Sequence, residues 1–314
     1  MKHLKLALAL LALALLAVLA PATLAQDITY GLSQEDFALY TAALENSQSA
    51  GSFAFEYSGE LNATGDDGNL LATYSGEGTF SEEGFAVTIA GEFEADGDGG
   101  DYETELRFVD ETAYFNFGGM WISANQEDVE QVGEQAGGLL PVNPADAAAS
   151  VTGGDMMEMM SALENVDPES FVSIVRSDDG LAVFTTTIDL GAAVADPGIQ
   201  ELILTALAQS NEGETMSEAE IAEMQEQLPI MLENSTITFA HAINVETNLV
   251  EGFSLEVVLD IDPAAIGQEG SATNMILTVD VGINGYDESF PVEVPADATP
   301  LSEFLGMMMG GMGN

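Results

Sequence analysis

The chain has 314 residues, with 54 carboxylate side chains against 4 Lys and Arg, a formal charge of −50 at neutral pH, and no cysteine. A surface of that sign repels nucleic acid and anionic membrane, and a chain without cysteine owes nothing to disulfides. Hydrophobic residues make up 46% of the chain. That is too many for a disordered acidic polymer, so a folded core is expected, as one large domain or two small ones.

Met1-Lys2-His3-Leu4-Lys5 is a short basic start, Leu6 to Ala20 is a Leu/Ala run, and Pro21-Ala22-Thr23-Leu24-Ala25 supplies a break and small residues. Residues 1–25 read as a secretory signal peptide cut near Ala25, with an apolar run too short to span a bilayer. The expected location is extracellular or periplasmic, with no stable membrane insertion and no cysteine to carry a lipid anchor. Lys2 and Lys5 leave with the leader, so Arg107 and Arg176 are the cations that remain.

Ser33-Gln34-Glu35-Asp36 caps a first helix with Phe37, Tyr40 and Leu44 on one face. After the Ser/Gly break at 47–52 the period changes to two. Phe53, Phe55, Tyr57 and Leu61 alternate with Glu56 and Glu60; Phe85, Val87, Ile89 and Phe93 follow, then Tyr102, Leu106 and Phe108. The connections at 64–69, 81–84 and 95–101 read as hairpin loops, and "TAYFNFGGMWIS" closes an antiparallel meander with one wet and one apolar face. Residues 126–165 read as helical, broken by Gly137-Gly138, Pro141, Pro144 and Gly153-Gly154.

Two further strands, "SFVSIVRSD" and "GLAVFTTTIDL", join through Asp179-Gly180. A helical pair follows. Asp196-Pro197 starts one helix with the stripe Ile199, Leu202, Ile203 and Ala206, and Ser217 with Glu220 boxes the other. Three long alternating strands occupy roughly 235–246, 249–262 and 273–286. Strands this long, with few helices, predict an α+β fold: one curved, unclosed antiparallel sheet with helices packed on its concave apolar face. Residues 26–305 are expected to form a single domain, with 306–314 as a flexible Met/Gly-rich tail.

The helix running into the first strand ("LYTAALENSQSAGSFAFEYSGEL"), the strand "YFNFGGMWIS", the hairpin "INVETNLVEGFSLEVVLDI" and the exit "VPADATPLSEFL" together resemble the bacterial lipoprotein- and lipid-carrier superfamily. Its members include the periplasmic lipoprotein chaperone LolA and mycobacterial lipid carriers of the LppX/LprG type. The resemblance covers most of residues 33–305 and implies an unclosed half-barrel whose apolar cavity takes acyl chains. Two departures stand out: no cysteine is present for lipid anchoring, and Arg107 and Arg176 alone could serve a basic hand-over.

The residue inventory argues against catalysis. Past the leader there is one histidine, His241, on the apolar phase of its strand between Phe239 and Ile243, where a structural role fits better than nucleophilic chemistry. Asp96, Asp98 and Asp101 in "DGDGGDYETELR" suit a hard cation, but the spacing fails the EF-hand pattern and a solvated hairpin tip fits better. In "GGDMMEMMSALEN" Asp155 and Glu158 cap a helix that puts Met156, Met159, Met160 and Leu163 on one face. Core packing, a pocket wall and soft-metal ligation all stay open for these methionines.

The functional expectation is a secreted, non-enzymatic and monomeric carrier or sensor without cofactor or bound metal, holding an apolar small molecule or lipid. Its contacts would be Phe53, Phe55, Tyr57, Val87, Ile89, Phe108, Trp121, Phe253, Leu255 and the Met156/Met160 face. The alternatives are an extracellular interaction module with a fully packed core and a Met-rich copper binder. Arg107 has the opposite phase from Leu106 and Phe108 and is expected to point away from the apolar face.

Overall fold

A computed structural model describes residues 31–65, 68–81, 83–95, 97–125, 171–178, 181–200, 218–261 and 273–311. Helix α1 (Gln34–Gln48) leads into strands β1 (Ser52–Gly65), β2 (Gly68–Ser81), β3 (Gly84–Ala95), β4 (Asp98–Val109), β5 (Thr112–Phe117) and β6 (Met120–Ala124). Then come β7 (Val172–Asp178), β8 (Ala182–Asp189), α2 (Leu190–Ala195) and α3 (Glu218–Met231). Strands β9 (Thr236–Asn244), β10 (Leu249–Ile261), β11 (Thr273–Asn284) and β12 (Thr299–Pro300) precede α4 (Leu301–Gly311).

The fold is α+β. The twelve strands of the described residues join one unclosed sheet in the order β12-β6-β5-β4-β3-β2-β1-β11-β10-β9-β8-β7. The chain-neighbour hairpins β3–β4, β4–β5, β5–β6, β7–β8 and β9–β10 are antiparallel, and so is the pair β8–β9. Thr299-Pro300 joins Ile122-Ser123 by a two-residue parallel bridge, so the sheet is mostly rather than wholly antiparallel. The helical reading of 126–165 and the Leu202/Ile203/Ala206 stripe lie outside the described residues. Asp196 does start a turn of helix: its carboxylate accepts the N–H groups of Gly198 and Ile199 at 2.8 and 3.3 Å.

The chain divides into two compact units, the first made of residues up to Gln48, 61–70 and 157–279. Its core gathers the inward phases of β8, β9 and β10 under α2 and α3, with Ile188, Val194, Leu232, Ile237 and Val257 all 5% exposed or less. Buried Ser235 ties α3 to this sheet. Its N–H bonds Leu232 O, its carbonyl receives the N–H of Leu190, and its hydroxyl accepts the N–H of Asp260 at 2.9 Å. Among the described residues no buried side-chain polar atom lacks a partner, as a stable interior requires.

Helix α1 lies over β10 of the same unit. It starts at Ser33, whose hydroxyl accepts the Asp36 N–H at 3.1 Å while Asp36 accepts the hydroxyl proton at 2.7 Å. Tyr40 and Ala43 are its buried residues. Asn46 donates to Asn248 O, and the N–H of Val250 donates to Ser47 Oγ, pinning the far end.

The second unit comprises residues 49–60, 71–156 and 280–314. It holds the first part of β1, most of β2, and all of β3 to β6, β12 and α4. Helix α4 packs on β6 and β12. The segment after β11 is tied to β1 by Ser52, which donates to Glu288 O and accepts the Asp287 N–H at its own carbonyl.

Candidate functional site: an aromatic sheet face

In the second unit the register places one set of side chains on one face. Phe85 pairs with Phe108 and that with Ala113; Val87 pairs with Leu106, Phe115 and Ile122 in turn; Ile89 pairs with Thr104. Ring contacts carry the set across β1 and β2. Phe53 stacks on Phe80 at 5.2 Å, Phe53–Phe55 and Phe55–Tyr57 lie at 6.1 and 6.2 Å, and Tyr57 meets Tyr74 at 6.4 Å. Phe85 stacks on Phe108 at 5.8 Å. Six of the expected contacts, Phe53, Phe55, Tyr57, Val87, Ile89 and Phe108, thus share this face.

Glycines shape the surface. A side chain on Gly78 would run into the Phe55 ring, one on Gly76 into the Tyr57 ring, and one on Gly91 into the Tyr102 ring. Each ring therefore lies flat across a neighbouring backbone instead of standing clear, which only glycine allows. Tyr57 also donates its hydroxyl to Thr88 O at 2.8 Å, fixing the ring over the β2–β3 junction.

This face is left half open. Phe80, Phe93, Tyr102, Phe108, Phe115 and Met120 are each between 39% and 45% exposed, whereas Phe184 and Ile243 in the first unit are at 0%. At roughly 200 Å² per large side chain, six such residues leave on the order of 500 Å² uncovered. Patches of that size on a monomer are often functional. Removing it from water recovers on the order of 10 kcal/mol at about 25 cal/mol per Å², before the cost of fixing a ligand.

The sequence reading missed Phe80, Tyr74, Phe115 and Met120. Parity could have found them, but Gly76 and Gly78 occupy the apolar phase of β2 and silence the alternation there. Trp121 is a correction. Asn116 faces it across β5–β6 and Glu105 faces Asn116 across β4–β5, so Trp121 sits on the face of Glu105 and Arg107. The Arg107 guanidinium lies 4.8 Å from its ring centroid, donates Nε–H to Glu105 at 2.6 Å and donates again to Glu293 O at 2.7 Å. Arg107 turns away from the apolar face, and Trp121 turns with it because both are one residue out of phase with Phe108 and Ile122.

Phe253 and Leu255 belong to the first unit. Leu255 packs against its core, and Phe253 is 37% exposed beside His241, 6.5 Å between rings. His241 faces Tyr40, whose hydroxyl is 3.2 Å from Nδ1, and burial holds the imidazole below its ordinary 6.5. Met156 and Met160 lie outside the described residues. In the second unit an open groove of about 790 Å³ is lined by Ser58, Thr73, Ser75, Glu92, Asp101 and Glu103 among others. Among the described residues no three His, Cys, Asp or Glu side chains are gathered to hold a metal ion, and no helix is long and apolar enough to cross a membrane.

No protein-family model matches the chain, and no curated protein matches it closely enough to count as similar. Among solved structures, the chain is similar over 80% of its length to 27% of the lipovitellin chain, at 8% identity and a TM-score of 0.33. It is similar over 81% of its length to 94% of a DUF1329 family protein from Desulfovibrio piger, at 6% identity and a TM-score of 0.22. LprF from Mycobacterium bovis is similar over 85% of this chain and 99% of its own, at 12% identity and a TM-score of 0.34.

Proposed function

We propose that the chain is a secreted, non-enzymatic carrier or sensor that holds an apolar molecule, a lipid or acyl chain, against the aromatic face of β1 to β5. The observation that supports this is the contrast between units. The first buries Ile188, Ile237, Val257 and Leu259 on its strands to 5% exposure or less, while the second leaves Phe80, Phe93, Phe108, Phe115 and Met120 about two fifths open on one face. Each ligand methylene buried there recovers about 0.8 kcal/mol, so a long chain binds with no charged contact. Histidine-, cysteine- or lysine-based catalysis has little to work with. The one histidine beyond the leader is engaged with Tyr40, and no cysteine or lysine accompanies it.

Native mass spectrometry of protein purified from its own host, followed by solvent extraction, tests the reading. Co-purifying apolar molecules are expected, together with protection of a fluorescent acyl probe from water. Protein that is always empty and leaves the probe quenched is instead an interaction module whose face meets another protein.

A further inference from the structure

The aromatic face is not uniform. Phe53, Phe80, Phe85 and Phe108 crowd one end, while Tyr57, Tyr74 and Tyr102 gather toward the other around Gly76 and Gly91, with Phe93 just beyond Tyr102. Burial raises the titration of Tyr57 and Tyr74 above the ordinary 10.0, and Tyr102 stands close enough to both to raise them further, so these two phenols stay neutral near pH 7. The Tyr57 proton is already given to Thr88 O, which leaves its ring rather than its hydroxyl to meet a ligand. Tyr102 is the most open of the three, at 39% exposed.

Charge is distributed just as unevenly. Alternation puts Glu56, Glu77, Glu92, Asp101, Glu103, Glu105 and Arg107 on the opposite face, while Asp98, at the β3–β4 turn, has the parity of Tyr102. Arg107 is the one Lys or Arg in the second unit, and Glu105 neutralises it on the far side. Neutral tyrosine rings in the field of a chain of net charge −50 attract a cation and repel an anion.

We propose that the Tyr57/Tyr74/Tyr102 end receives the cationic head, an alkylammonium group, of an amphiphile whose tail lies over the phenylalanine end. This rests on the apolar-ligand reading above and specifies its ligand. The ring faces hold the ammonium by cation–π attraction, the acidic surroundings steer it in, and an anionic head finds no partner on this face among the described residues.

Titration calorimetry of the full chain at moderate salt with three twelve-carbon amphiphiles below micelle formation tests it: an alkyltrimethylammonium, an alkyl maltoside and an alkyl sulfate. The ammonium is expected to bind about tenfold tighter than the maltoside, the size of a well-formed cation–π contact, and the sulfate weakest. Tyr74→Leu with Tyr102→Leu should erase that preference while leaving maltoside binding in place; the corresponding Phe substitutions should keep it. Tyrosine absorbance should change on ammonium binding while the emission of Trp121, the single tryptophan, stays constant on the other face. Equal ammonium and maltoside affinities overturn this inference and leave the apolar reading standing. So does a preference unchanged in the Leu variants, which assigns it to the general field. Binding of none of the three overturns both.

Discussion

Gly78 shows at a single residue what the aromatic face requires. A Cβ there would sit 2.3 Å from Phe55 Cζ and 2.9 Å from the Ala86 carbonyl oxygen, and the second of these is backbone with nowhere to go. Gly78→Ala is therefore expected to destabilise by about 1–3 kcal/mol, read from the midpoint of urea unfolding. Gly282 is also inside a strand but has nothing within 4 Å of its missing Cβ. Gly282→Ala should be neutral or stabilise by about 0.5–1 kcal/mol, since glycine weakens an ordinary strand. If both glycines respond alike, the roofing of Gly78 by Phe55 is not what requires it.

At the scale of elements, α1 is the piece whose docking depends on protonation. The Tyr40–His241 bond holds its middle and the Asp36–Arg176 ion pair its start. From β8, Phe184 packs on Tyr40 at 5.0 Å; Arg176 pairs with Phe184 in the next strand, and β10 contributes uncharged Phe253. Burial lowers the His241 pKa in the folded state, so the unfolded chain binds the proton more readily. Stability is then full above 6.5 and falls as the pH drops from there through the folded value. Asp36 is lowered first by its Ser33 bond and then by Arg176, so its contribution holds above 3.8 and is lost as the pH falls further. His241→Phe keeps the packing but not the titration. Relative to the unaltered protein, its unfolding midpoint should gain as the pH falls from 6.5 toward 3.8, and a constant gap between the two across that window would mean that His241 is not the group responsible.

For the whole molecule, −50 charges with few cations to offset them make self-repulsion the dominant long-range term. Added salt shortens the screening length from about 30 Å at 0.01 M to about 3 Å at 1 M, so the thermal midpoint should rise over that range. A flat or falling midpoint would show that local pairing, rather than net charge, governs stability. Much of the architecture was legible in the chain itself. Period-two alternation from Phe53 to Phe108 and from Ile237 to Val281, the turn glycines and the Ser33 and Asp196 caps mark elements that the fold contains, because strand and cap preferences act over a few neighbouring residues. The same alternation put Arg107 off the apolar face. Three things needed the tertiary structure. The facing of Trp121 was decided by β5–β6 register, since a one-residue offset moves every side chain to the other face. The pairing of Tyr40 with His241, 201 residues apart, depends on how α1 docks across β10. The openness of the aromatic face is a property of what covers it; periodicity says which side chains share a face, whereas only packed neighbours determine whether that face is wet.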